Sequence, residues 1–294
     1  MRNWVLIIRE LFFEIEGYNV HYYEWGKCNK PAIVCLHGLG NSASAFFEMA
    51  EYLEENYYIL AFDSPGHGKT PPFKNKDEYL FSKLVKWYDH VFQHVLKEPF
   101  YILGHSWGAD IALHYAKYNS EKIKGVILLD GGYTFPDFQE DMTFSKVYNG
   151  WKYYMDHSSV FESWEDVARE YKQFTQRWNE KIELMVSTLF NKYEKYELIT
   201  SKFTVLSIIK AFFKESFITT YPYIKSPLIL IHSTLPMDLE NARKRGINEL
   251  RRNVKDVTIV SMDETNHMVH WEHPEKVASE IHSWQTKLKV TFLK

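Results

Sequence analysis

The sequence predicts an α/β fold in which a mostly parallel central sheet is flanked by helices and interrupted by a long helical insertion. Three observations carry this. Short apolar runs without polar alternation recur between amphipathic stretches, as in parallel strands covered on both faces. From about Tyr133 to Lys225 no buried strand is evident, and the segment reads as helical, charged and aromatic. Apolar runs then return at Pro227–His232 and Val257–Met262. The predicted core is therefore residues 1–132 and 226–294. A subdomain at 133–225, too long for a loop, lies between its strands.

Taken in order, Phe12–Glu16 and Val20–Trp25 are expected to pair as strands around Gly17. Ala32–Leu36 is a buried strand ending at His37-Gly38. Phe46–Leu53 shows the three-and-four spacing of a helix in Phe46, Met49, Ala50 and Leu53. Tyr58–Phe62 is a second buried strand, ending at Asp63. Leu80–Leu96 is a long amphipathic helix. Phe100–Leu103, helix Ala109–Tyr118 and strand Gly125–Leu129 continue the alternation, and Pro274–Leu288 closes the chain as a helix. Strands separated by helices pair in parallel through right-handed crossovers.

Composition narrows the classes of function. The 294 residues are 45% hydrophobic and 25% charged, which fits a globular protein and excludes wholesale disorder or a rod. A net charge of −3 gives no basic excess for nucleic acid. Aromatics reach 17%, enough for a large core or an apolar pocket. Two cysteines, Cys28 and Cys35, make neither a disulfide framework nor a four-ligand zinc site. The apolar run near Met1 is short and broken by charge, unlike a secretory signal. No stretch is long and apolar enough to span a membrane. A soluble cytoplasmic protein is expected.

Gly104-His105-Ser106-Trp107-Gly108 follows a strand and opens a helix. That is the setting of a G-x-S-x-G nucleophile elbow, whose glycines permit a tight turn that lifts the serine above the sheet edge. Ser106 is the candidate nucleophile. His37-Gly38-Leu39-Gly40 follows another strand, and the N–H groups of Leu39 and Trp107 are expected to form an oxyanion hole. His267 follows the last strand, and an imidazole suits the base that a serine needs. His270 and His273 are rivals, expected at the loop exterior or at the start of the last helix. Gly68-Lys69-Thr70 resembles the end of a phosphate loop, but Asp63 stands where its first glycine is required and Pro65 removes an N–H. His267, His270 and His273 lack the carboxylates and the helix that would align them on zinc, so no metal is expected.

These pieces, with Asp63–Thr70 and the stretch from Asn266 to Pro274, occur in one order along nearly the whole chain. The chain resembles the α/β-hydrolase superfamily, in its serine hydrolase branch with a helical cap. The resemblance implies Ser, His and an acid as the catalytic set, with no cofactor. Residues 133–225 would be the cap, roofing the site. The acid departs from the family pattern. After the strand Pro227–His232 the family shows Gly-x-x-Asp, whereas this chain has Ser233-Thr234-Leu235-Pro236. Asp238 follows two residues later. Asp130 ends an earlier strand, 24 residues after Ser106, the place that certain haloalkane dehalogenases use. Asp130 is preferred and Asp238 remains the rival.

A serine rather than an aspartate at position 106 argues against dehalogenase and epoxide hydrolase chemistry. The expected function is a carboxylesterase acting on a small-molecule ester with an apolar group. A C–C bond hydrolase, lactonase, thioesterase or perhydrolase would use the same groups. A slow-turnover ligand receptor or signalling protein on this fold is the alternative from another class, and an inactive scaffold the third. The substrate, the oligomeric state and the cap arrangement stay open.

Overall fold

The computed structural model describes residues 8–292; the apolar run of Met1–Ile7 lies outside the described residues. The order of elements follows the expected alternation. Strands β1 (Arg9–Ile15) and β2 (Tyr18–Trp25) form a hairpin, followed by β3 (Ala32–Leu36), helix α1 (Phe47–Leu53) and β4 (Tyr58–Phe62). Then come α2 (Phe81–Val95), β5 (Phe100–His105), α3 (Trp107–Tyr118) and β6 (Ile123–Leu129). Glu16 and Gly17 both have positive φ (52° and 79°), the two-residue turn whose twist suits a hairpin, so β1 ends at Ile15.

After β6 the chain leaves the sheet through α4 (Phe144–His157), β7 (Val160–Phe161), α5 (Trp164–Tyr171), α6 (Glu180–Ser187), β8 (Phe190–Lys192), β9 (Tyr196–Leu198) and α7 (Lys202–Lys214). It returns as β10 (Leu228–Ser233), α8 (Glu240–Asn253), β11 (Val257–Met262), the short α9 (Val269–Glu272) and α10 (Pro274–Phe292). The excursion is not purely helical. Its three strands form a small antiparallel sheet in the order β7-β9-β8. Two or three residues per strand are too few for a period-2 pattern to emerge from the sequence.

The main sheet runs β1-β2-β4-β3-β5-β6-β10-β11, antiparallel only at β1-β2 and β2-β4. Side chains of its central strands alternate between two apolar layers. Val34, Leu60, Ile102, Leu128 and Leu230 face one; Ile33, Ile59, Leu103, Ile127 and Ile231 face the other. Cys35 lies fully buried in the second layer, and Cys28 is exposed. The edge strand β11 is only half buried.

The residues between β6 and β10 belong to both layers: Ile208 and Phe212 of α7 join the first, Ile182 and Met185 of α6 the second. Straddling the sheet in this way sets the segment across the carboxyl edge. Polar contacts fasten it there: Ser44 with Thr188 (2.7 Å), Gln176 N–H to Glu272 (2.8 Å), and the Arg177–Glu48 ion pair. Among the described residues no helix is long and apolar enough to cross a membrane.

Candidate active site

The chain order reverses between β3 and β5, because β4 is added on one side of β3 and β5 on the other. Crevices at such reversals, outside the carboxyl ends of parallel strands, are where open α/β sheets bind ligands. Ser106 sits there, directly after β5. Its backbone is at φ 52°, ψ −121°, a left-handed conformation rarely taken by a residue other than glycine. The turn is tight enough that Gly104 and Gly108, two residues to either side, leave no room for side chains. A Cβ on Gly104 would lie 2.0 Å from the Gly108 carbonyl oxygen, and one on Gly108 2.1 Å from that of Leu36. Trp107 opens α3, so its N–H is among the first-turn donors without an intrahelical acceptor.

Beside it, the loop after β3 carries Leu39. Two buried imidazoles fix this loop. His37 bonds the Gly38 carbonyl through Nδ1 (2.8 Å), and its Nε2 accepts the Ser64 N–H (3.0 Å). His67 Nε2 accepts the Gly40 N–H (3.2 Å), and its ring stacks on Trp107. Burial holds His37 below the ordinary imidazole range and His67 well below it, which favours the neutral acceptors these bonds need. The stretch Asp63–Thr70 folds around the Asp63 carboxylate. That carboxylate accepts the N–H groups of Ala43 and Lys69 (both 2.7 Å) and bonds His21 Nδ1 (2.6 Å). It fixes the stretch whose Ser64 N–H and His67 ring hold the His37–Gly40 loop.

Asp130 ends β6, and its carboxylate meets His267 Nδ1 at 2.7 Å. Four donors converge on it. Oδ1 accepts from the Ser233 N–H (3.0 Å) and the Tyr133 hydroxyl (2.9 Å); Oδ2 accepts from His267 and the Ser233 hydroxyl (2.8 Å). Burial alone would push Asp130 up, but the His267 and Ser233 bonds outweigh it and hold the carboxyl below its usual range. Asp238 is exposed in the turn after β10 and is not brought to His267. Arg243, only 3% exposed, occupies that turn instead and donates to the carbonyls of Thr234 (3.1 Å), Leu235 (2.5 Å) and Pro236 (2.8 Å).

With Nδ1 directed at Asp130, His267 keeps Nε2 for the cavity. His105 packs under it, its ring centroid 4.8 Å away and its Nε2 donating to the His267 carbonyl (3.1 Å). His270 is buried rather than at the loop exterior. It stacks on Phe46 and lies 4.6 Å from the His105 ring, and burial pushes it down to about 3. His273 is exposed just before α10. Among the described residues no group of three His, Cys, Asp or Glu side chains is placed to hold a metal ion.

Ser106, His267, Leu39 and Trp107 all line one cavity of about 910 Å³, walled by Trp151, Tyr154, Tyr171 and Phe174 of the inserted segment. The sequence pointed to Ser106, His267 and Asp130. The supporting roles of Ser233, Tyr133, Arg243, His37 and His67 were missed: Ser233 acts from 103 residues away, and the motifs that contain His37 and His67 do not show what their rings bond.

Residues 31–274 match a family model described as the alpha/beta hydrolase fold. An (E)-2-((N-methylformamido)methylene)succinate hydrolase of Acinetobacter baylyi is 20% identical over 268 residues, 90% of this chain and 93% of its own. A human serine hydrolase-like protein is 28% identical over 124 residues, 42% of this chain and 61% of its own. Solved structures of an esterase from Exiguobacterium antarcticum (TM-score 0.75, 16% identity, 94% and 99% covered) and an enol-lactonase from Burkholderia xenovorans (0.73, 17%, 94% and 100%) share the architecture. With the family model spanning both halves of the sheet and the segment between them, the chain belongs to the α/β-hydrolase family.

Proposed function

We propose that the chain is a serine hydrolase that cleaves small to medium apolar esters through an acyl-enzyme. Ser106 is the nucleophile, His267 the base and Asp130 the acid that orients it. The N–H groups of Leu39 and Trp107 form the oxyanion hole, and residues 133–225 form the cap. The observation that carries this reading is the 2.7 Å Asp130–His267 contact in the cavity that a strained Ser106 also lines. An ionised Asp130 fixes the Nδ1–H tautomer, so Nε2 bears the lone pair that removes the Ser106 proton. The alkoxide attacks the ester carbonyl, and the two N–H groups receive the charge that develops on its oxygen. His267 then protonates the departing alcohol, and water, activated in turn by His267, releases the acid.

The aromatic walls favour an apolar acyl or alcohol group. A lactone or thioester would meet the same groups, so the substrate screen includes both. The first experiment is fluorophosphonate labelling with peptide mass spectrometry. Labelling at Ser106 that is lost in His267→Ala supports an activated serine. No labelling of the folded protein overturns the reading. Adduct without multiple turnover on any ester favours a ligand receptor on the same fold.

A further inference from the structure

Asp110 is a buried acidic side chain of the cavity wall that the proposed reaction does not use and that no ion pair among the described residues neutralises; the other, Glu170, is only partly buried. Asp110 lies on α3, four residues after Ser106 and so one helical turn, about 5 Å, along the same face. It lines the cavity but is only 3% exposed, and its Oδ1 has no hydrogen-bond partner. The charged group that acts on it is a second carboxyl, Asp137, itself held by the Ser216 hydroxyl (2.9 Å). Tyr221 packs nearby with its hydroxyl spent on the Gly132 carbonyl (2.7 Å). Of the cationic residues that line the cavity, Arg243 serves the turn after β10, and Lys146, exposed on α4, makes no ion pair with Asp110. An unpaired buried carboxyl is costly, and native proteins satisfy such groups or use them.

We propose that Asp110 is the recognition residue for an ammonium group on the substrate, making the enzyme selective for amine-bearing esters. The reading rests on the proposed hydrolase site. Asp110 on the cavity wall, with Asp137 acting on it and no salt bridge to either among the described residues, makes a place that a cation would complete. Phe135, Phe212, Trp151 and Tyr154 line the same space and offer ring faces to a cation. Burial first, and Asp137 second, raise the Asp110 carboxyl well above its usual range, with the N–H groups of Gly132 and Asp110 itself opposing this. In the free protein the carboxyl therefore keeps its proton further up the pH scale. A bound ammonium restores the charge, and the displaced proton passes to the buffer.

The test is calorimetric and needs no turnover. 4-Phenylbutylammonium and its neutral counterpart 4-phenylbutanol are titrated into wild type and Asp110→Asn, at pH 5.5 and 8, in buffers of different ionisation enthalpy. The expected result is binding of the amine about 10- to 100-fold tighter than the alcohol, the scale of a charge-assisted hydrogen bond. Proton release should accompany it, larger at pH 5.5, and both the preference and the release should vanish in Asp110→Asn. The amine should also slow fluorophosphonate labelling of Ser106. Equal binding of the two probes, or a preference that survives Asp110→Asn, overturns the proposal. Tighter binding of the alcohol also overturns it and makes Asp110 a neutral donor. If Asp110→Asn does not fold, proton release in the wild type decides alone. Labelled Ser106 without amine preference refutes the subsite and leaves the hydrolase; unlabelled Ser106 with amine preference does the reverse.

Discussion

Replacing Asp130 by Asn probes the proposed site at its most constrained point, because the structure dictates which way the amide would turn. Oδ1 accepts the Ser233 backbone N–H at 3.0 Å and the Tyr133 hydroxyl at 2.9 Å. A backbone N–H cannot reverse its role, so the amide oxygen must occupy the Oδ1 position. The amide nitrogen then falls at Oδ2, facing His267 Nδ1 across 2.7 Å. Ser233 Oγ adapts by rotating its hydrogen, but Nδ1 must now accept, and the proton moves to Nε2. An Nε2–H cannot take a proton from Ser106. Loss of the tautomer in serine hydrolases lowers kcat by about 10⁴, or about 5.5 kcal/mol of transition-state stabilisation. Hydrolysis of a p-nitrophenyl ester gives kcat and KM, and circular dichroism with thermal melting checks the fold. The expected result is a protein that still folds, with near-normal KM and kcat down about 10⁴. Activity within about tenfold of wild type would refute the reasoning, and a larger loss in Asp238→Asn would move the acid to that turn.

Three further outcomes follow from the same contacts. Ser233→Ala removes one of four hydrogen bonds to Asp130 and should lower kcat about tenfold with KM unchanged, the scale of one bond to a charged acceptor; steady-state kinetics showing no change would make that bond dispensable. Gly108→Ala places a Cβ 2.1 Å from the Leu36 carbonyl oxygen, so soluble yield and melting temperature should both fall, and an unchanged melt would contradict the packing. Asp110 has its folded pKa raised mainly by burial, so the folded form keeps a proton that the unfolded chain releases. Its contribution is therefore lost as pH rises from the unfolded value towards the folded one. Asp110→Asn does not titrate, so its melting temperature should gain on wild type as pH rises from 4 to 8; a difference flat with pH would refute the sign.

The fold was legible because each central strand ends at a chemical marker. Leu36 runs into His37-Gly38, Leu103 into Gly104-His105-Ser106, and Leu129 into Asp130. Unbroken apolar runs identify strands covered on both faces, and Ser106 and His267 sit beyond strand ends where side chains reach the crevice. The small β7-β9-β8 sheet escaped because its strands are shorter than the period that would reveal them. His270 was misplaced because sequence position does not show which way a four-residue helix turns; the ring goes inward between Phe46 and His105. Some supports of the site act across long stretches of chain that no local pattern links. His67 holds the loop of Leu39 from 27 residues away, and Ser233 holds Asp130 from 103.

The proposed acid shows how far sequence reasoning reaches and where geometry takes over. The tips of β6 and β10 are neighbours, bonded from the Asp130 N–H to the Ile231 carbonyl at 2.9 Å. Adjacent strands lie about 4.8 Å apart, so a carboxylate on either tip falls within reach of an imidazole on the loop after β11. Sequence order cannot choose between them. What separates the two is the company each tip keeps. At β10 the chain spends its polar capacity inward: Arg243 draws three carbonyls of the turn onto one guanidinium, and Ser233 turns both of its donors towards β6. A carboxylate at the β6 tip then receives four donors, enough to keep it ionised despite burial. Asp238, outside that network and exposed, has nothing to aim it. The replacement of Gly-x-x-Asp by Ser233-Thr234-Leu235-Pro236 is therefore not a vacancy. It converts the β10 tip from a source of the carboxylate into a source of the donors that hold a carboxylate one strand away.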